Sequence, residues 1–196
     1  MKSHPLFGEV VMRDLAEFSQ RLQAGAAMLP DLGPLEVGAT PKTAVAQLDK
    51  ATLYRFDRES PPTVKVPVLI VYALVNRHYM TDLEPKRSMV RRLLEAGLDV
   101  YLVDWGYPDE HDRGVTLGDY LDKYLDRFVN DVCSAHAVEG LNMLGICQGG
   151  TLSLCYTALN PAKVRNLVTM VTPVDFHTPD NLISKWTRHI DIDLMV

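Results

Sequence analysis

The run Asn142-Met143-Leu144-Gly145-Ile146-Cys147-Gln148-Gly149-Gly150-Thr151-Leu152 decides how this chain folds. It opens apolar, passes through Gly-x-Cys-x-Gly and turns apolar again. That order reads as a strand, a sharp turn and a helix, with a cysteine at the apex. The neighbours two places from the apex must be small, because the incoming strand and outgoing helix pass close together there. Gly145 and Gly149 meet that demand, and Gly150 lets the helix start pack on the strand. A thiol reacts as its thiolate, and unpaired N–H groups at a helix start favour that form. Cysteine is also among the most buried residues and in most cores is only a small hydrophobe. Between a strand pattern and a helix pattern, Cys147 reads as a nucleophile. Cys133 and Cys155, at apolar positions of helices, read as core.

Outward from the turn, strand and helix patterns alternate. Val66–Ala73 and Val100–Val103 are continuous apolar runs typical of strands buried on both faces, the second closed by Asp104-Trp105-Gly106. Between them Pro85 stands where a helix begins, Met89, Val90, Leu93 and Leu94 form its stripe, and Gly97 ends it. Thr116-Leu117-Gly118-Asp119 resembles a capping box with Asp in the usual Glu position. The helix it opens places Tyr120, Leu121, Tyr124, Leu125, Phe128 and Val132 on one side. Asp119, Asp122 and Asp126 on its other side read as a solvated face rather than a metal site. After the turn come a helix to about Leu159 and a strand Val164–Val171. Ahead of the alternation, Thr43–Leu48 and Thr52–Phe56 form a hairpin around Asp49-Lys50. Alternation of this kind implies a mostly parallel sheet with helices on both faces.

Residues 1–42 form a separate N-terminal helical segment, and 43–196 the core domain. Within the first, Val11, Leu15, Phe18 and Leu22 share one face of a helix over 8–29, ended by Leu29-Pro30-Asp31-Leu32-Gly33-Pro34. That face covers the core or docks a partner, and core cover is the plainer reading.

At 196 residues and 47% hydrophobic, the chain can bury one sizeable core. A net charge of −5 argues against nucleic acid and against polybasic membrane binding. No apolar run approaches the roughly 20 residues of a transmembrane segment, and Met1–Pro5 opens no signal peptide. Three cysteines without a C-x-x-C pair suggest no disulfide framework, which fits a reducing cytoplasm. There is no metal cluster and no dinucleotide loop in the pattern.

A strand–cysteine–helix turn on such a sheet resembles the nucleophile elbow of α/β-hydrolases, here with a thiol where lipases place a hydroxyl. The hairpin is the usual opening of that sheet. By the fold's rule one oxyanion-hole donor is the backbone N–H of Gln148. The second comes from the loop after the third strand, at Val75, with Leu74 the near alternative. Asn76 either orients that loop or is simply an Asx-turn residue. The triad order is nucleophile, acid, histidine. After Cys147 the chain holds Asp175, His177, Asp180, His189, Asp191 and Asp193. Asp175 reads as a turn residue, and His177 and His189 as surface or packing residues. His78 and His111 precede the nucleophile, against the fold's order. No strand pattern follows residue 172, and the chain closes on apolar Ile192–Val196. It therefore reads as a C-terminally truncated core, inactive in turnover alone, with the catalytic Asp and His expected beyond residue 196.

Four segments resemble one family. They are Leu69-Ile-Val-Tyr-Ala-Leu-Val-Asn-Arg-His-Tyr-Met-Thr-Asp-Leu83, Val100-Tyr-Leu-Val-Asp-Trp-Gly-Tyr-Pro-Asp109, Leu144-Gly-Ile-Cys-Gln-Gly-Gly150 and Asn166-Leu-Val-Thr-Met-Val-Thr-Pro-Val-Asp-Phe176. All are similar to the polyhydroxyalkanoate synthases. The short leader before the core most resembles the class III catalytic subunit. The resemblance implies an acyltransferase that polymerises 3-hydroxyacyl-CoA, with short units such as 3-hydroxybutyryl, through a thioester on Cys147. Coenzyme A is released as a product, and no separate cofactor or metal is implied. It also implies a second, non-catalytic synthase subunit, homo- or hetero-oligomers, and residence on polyester granules in the cytoplasm. Two other readings stand beside it: a cysteine hydrolase of the dienelactone-hydrolase kind, and a non-catalytic scaffold with a hydrolase-like sheet.

Overall fold

Uninterrupted apolar runs end up as central strands because only there are both faces dry. The computed structural model describes residues 7–28, 37–175, 182–187 and 189–190. The chain divides into two units, residues 1–36 and 37–196. In the first, helix α1 spans Phe7–Met28. Its Leu15, Phe18 and Leu22, on one face, are all more than half exposed.

In the second unit six strands form one sheet among the described residues: β1 (Lys42–Leu48), β2 (Ala51–Phe56), β3 (Val68–Val71), β4 (Val100–Asp104), β5 (Leu141–Ile146) and β6 (Val164–Met170). Their order is β1-β2-β4-β3-β5-β6. The hairpin pairs antiparallel with itself and with β4, and β4, β3, β5 and β6 run parallel. The parallel exits of β3, β4, β5 and β6 therefore open on one end of the sheet.

Helices α2 (Met89–Glu95), α3 (Asp126–His136) and α4 (Gln148–Leu159) cover the strands, and a short α5 spans Leu182–Thr187. Alternate strand residues divide between two cores. Leu69, Val71, Tyr101, Val103, Leu141 and Met143 face Phe128 and Val132 of α3 and Leu152 and Tyr156 of α4. Val68, Ile70, Val100, Leu102, Leu144 and Ile146 face Val90, Leu93 and Leu94 of α2. This is the two-residue period of a pleated strand with helices on both sides.

Local details refine the sequence reading. The hairpin turn falls on Asp49-Lys50, with Asp49 at φ 51. The ladder of β3 is shorter than its apolar run, although Tyr72 and Ala73 beyond it are buried. Pro85 opens a single 3-10 turn, Pro85–Arg87; α2 starts at Met89, capped by the Ser88 hydroxyl accepting from the Arg91 N–H. Thr116 and Asp119 do cap each other reciprocally. The next turns, Asp119–Leu125, are π-helical before α3 proper. Asp126 accepts from Tyr156 and pairs with Lys163 at 2.6 Å, pinning α3 to α4 rather than lying solvated. No helix among the described residues is long and apolar enough to cross a membrane.

Candidate active site

A single residue separates β5 from α4. Cys147 takes φ 54, ψ −127, a backbone conformation that side chains beyond glycine rarely adopt. Two hydrogen bonds hold it there: its own N–H donates to the Met170 carbonyl at 2.9 Å, and the Gly150 N–H donates to its carbonyl at 2.9 Å. The flanking glycines are required by close approach. A Cβ on Gly145 would lie 2.6 Å from Gly150 Cα and from Ser153 Oγ. One on Gly149 would lie 2.6 Å from the Tyr72 carbonyl oxygen and closer still to that of Val71. The thiol is partly exposed at the sheet's open end.

The loop leaving β3 lies beside this turn, since β3 pairs with β5. The Leu74 N–H donates to Gln148 Oε1 at 3.0 Å, so the first residue of α4 grips the loop through its side chain. Val75 next to it is 85% exposed, and its N–H has no partner among the described residues. Asn76 Oδ1 accepts from the Arg77 N–H at 2.9 Å, a local turn contact.

The histidines are dispersed. His78 Nδ1 sits 3.1 Å from Asp104 Oδ2, at ion-pair distance but not aligned as a hydrogen bond, and its ring stacks on Tyr54. Burial pushes the Asp104 carboxyl up, but the His78 ring, the Gly106 N–H and the Arg77 charge together hold it below its ordinary range. His111 faces Asp109 from an exposed 3-10 turn, Glu110–Gly114, and His189 Nδ1 lies 3.0 Å from the Lys185 carbonyl. Asp175 lies exposed beyond β6. His177, Asp180, Asp191 and Asp193 fall outside the described residues. Among the described residues no histidine hydrogen-bonds the Cys147 thiol, and no group of three or more His, Cys, Asp or Glu is placed to hold a metal. Cys133 is buried, which pushes its thiol up, and Cys155 packs partly buried against the same core.

Two contacts were not anticipated from sequence. One is the Gln148 side chain on Leu74; the other is the Trp105 indole N–H, which donates to the Tyr72 carbonyl at 3.0 Å. The signal for the second was present in Asp104-Trp105-Gly106, a polar-aromatic close to a buried strand. Residues 66–194 match the model of the alpha/beta hydrolase fold. The chain belongs to the α/β-hydrolase family. Residues 9–93 of this α/β-hydrolase match a second model, the N-terminus of poly-beta-hydroxybutyrate polymerase (PhaC). It is 54% identical over 94% of its length to the poly(3-hydroxyalkanoate) polymerase subunit PhaC of Allochromatium vinosum, covering 52% of that protein. With the protein of the same name from Synechocystis it shares 47% identity over 98% of its length and 54% of the relative's. The chain thus spans about half the length of the curated relatives it matches. Among solved structures, a putative lipase from Sulfolobus solfataricus aligns with TM-score 0.55 at 15% identity, covering 76% of this α/β-hydrolase and 53% of the lipase. That likeness is one of fold.

Proposed function

We propose that this chain forms the nucleophile-bearing half of a poly(3-hydroxyalkanoate) polymerase, an acyltransferase that takes 3-hydroxyacyl groups from their coenzyme A thioesters. The observation that carries the reading is the position of Cys147 at a strained strand–helix turn, in a chain 54% identical to a protein named as that polymerase. The Cys147 thiolate attacks the acyl carbonyl carbon and forms a C–S bond. The tetrahedral oxyanion then collapses and the coenzyme A thiolate leaves, so one thioester replaces another without any metal or redox partner. The oxyanion is met by the Gln148 N–H at the start of α4 and by the Val75 N–H. Val75 is favoured over Leu74 because the Leu74 N–H is occupied by Gln148 Oε1. In the next cycle the 3-hydroxyl of another acyl unit attacks the enzyme thioester and lengthens the polyester. The base for that step and its orienting acid belong, in this reading, to the other half of the polymerase. The reading also includes a second, non-catalytic subunit and attachment to polyester granules in the cytoplasm, both supported by the family likeness alone.

The test is stoichiometric acylation. The chain is incubated with 3-hydroxybutyryl-CoA and digested, and the acyl adduct is located by mass spectrometry. The adduct is expected on Cys147, absent from Cys147→Ala, and slower to form on Cys133, whose buried thiol is raised. An adduct distributed evenly over the three cysteines, or unchanged in Cys147→Ala, would sink the assignment.

A further inference from the structure

The loop after β3 is held from two sides. On the elbow side are Gln148 Oε1, which accepts from Leu74, and the close approach of Gly149 to the Val71 and Tyr72 carbonyls. The opposite side belongs to the segment leaving β4. Because β3 and β4 are parallel and Val71 pairs with Val103, their exits lie side by side. Trp105 donates its indole N–H to the Tyr72 carbonyl from a ring that is only 7% exposed. Asp104 faces His78 at 3.1 Å. Arg77 donates through Nη1 to the Gly106 carbonyl at 3.2 Å and lays its guanidinium over the Tyr107 ring, 3.3 Å from the centroid. Every one of these contacts lies on either side of Val75, and Val75 itself is left exposed.

The segment from β4 is itself braced. Asp104 Oδ1 accepts from the Gly106 N–H at 3.1 Å. Gly106 turns at φ +72, where a Cβ would sit 2.6 Å from the Lys50 carbonyl oxygen. Lys50 Nζ in turn pairs with Asp109 at 2.6 Å and Asp112 at 2.5 Å, fastening the stretch after Gly106 to the β1–β2 turn. The brace therefore reaches from the hairpin to the loop beside the nucleophile.

We propose that Asp104, Trp105 and His78 are positioning residues for the oxyanion hole: together they fix the loop so that the Val75 N–H points at the oxygen of the acyl group on Cys147. This rests on the acyl-transfer reading above. An oxyanion donor acts only where negative charge develops on the substrate oxygen, and a misdirected one forfeits most of its effect. Displacement of iodide by the same thiolate develops no such oxyanion. The two reactions at one sulfur thus separate loop geometry from thiolate supply and from folding.

The experiment measures, for the chain and for Trp105→Phe, Asp104→Asn and His78→Gln, the rate of Cys147 acylation by 3-hydroxybutyryl-CoA. The rate of its alkylation by iodoacetamide is measured at the same pH on the same samples. Trp105→Phe keeps an aromatic ring but removes the donor to Tyr72 together with part of the indole's bulk. The ratio of acylation to alkylation is expected to fall at least about ten-fold in each variant, as a partial loss of one oxyanion donor, while alkylation stays within about two-fold. Equal losses in both rates would reveal a merely structural role and overturn the inference, as would an unchanged ratio. If Trp105→Phe fails to fold, Asp104→Asn, which is nearly isosteric, decides by the same ratio. Absence of acylation in the unsubstituted chain would overturn the cysteine reading and this inference with it; acylation with an unchanged ratio in the variants overturns this inference alone.

Discussion

Two glycine-to-alanine substitutions, one at the elbow and one in a helix, should move stability in opposite directions. At Gly149 the new methyl meets backbone oxygens at the exit of β3, one of them 2.6 Å away. Neither is the loose end of a side chain, so relief requires the exit of β3 or the first turn of α4 to retreat. Overpacking of this kind costs about 1–3 kcal/mol. With a urea slope of about 2 kcal/mol/M for a domain of this size, the midpoint should drop by roughly 0.5–1.5 M. Gly118 stands at φ −57, ψ −42, and the nearest atom to its added Cβ is Thr116 Oγ1 at 3.5 Å, an ordinary contact. There alanine only narrows the unfolded ensemble, worth about 0.4–1 kcal/mol of stabilisation. The assay is equilibrium urea unfolding followed by tryptophan fluorescence, for which Trp105 at 7% exposure is the internal reporter. Midpoints that shift the same way, or a Gly149→Ala midpoint equal to that of the unsubstituted chain, would refute the reasoning that backbone proximity makes the elbow glycine obligatory.

Acid should weaken the fold through His136. Burial first, and the Arg55 charge after it, outweigh the pull of Asp99 and hold its ring below the ordinary 6.5, so the folded protein keeps it neutral. The unfolded chain then binds the proton first: this stabilisation is complete above about pH 6.5 and is lost as pH falls through the lowered value. Denaturation at about pH 7.5 and 5.5 should show the loss, and His136→Gln should flatten it. Phe128, fully buried between α3 and the sheet, should cost about 3–5 kcal/mol when cut to alanine, read from the same urea titration.

Much of this architecture could be read without coordinates, and the reasons are local. Val100–Val103 carries no polar residue, so it had to be a central strand, and it lies between β2 and β3. Gly145 and Gly149 flank Cys147 because nothing larger fits, and a pattern imposed by sterics survives in the sequence. The limits are as instructive. Pro85 suits a helix start, yet the chain spends it on a 3-10 turn and lets Ser88 cap α2 instead. The π-helical Asp119–Leu125 keeps an apolar side that an α-helix would also explain, so its wider turn leaves no separate trace. The spacing of Leu15, Phe18 and Leu22 is met by helix α1. At the site, the place of Cys147 at the strand–helix turn was legible because it is written in its neighbours. The grips of Gln148 and Trp105 on the β3 loop join residues 74 and 33 positions apart, and no short pattern encodes such pairs.

The N–H of Cys147 is fastened to a carbonyl on another strand, the last one of β6, and β6 pairs only with β5 among the described residues. The orientation of the sulfur is thereby tied to how firmly β6 holds its place beside β5. A contact that steadies β6 from outside also steadies the thiol, without touching it. One that pries β6 away lets the strained peptide relax and turns the sulfur aside. The end of β6 and the turn at Cys147 are mechanically one part.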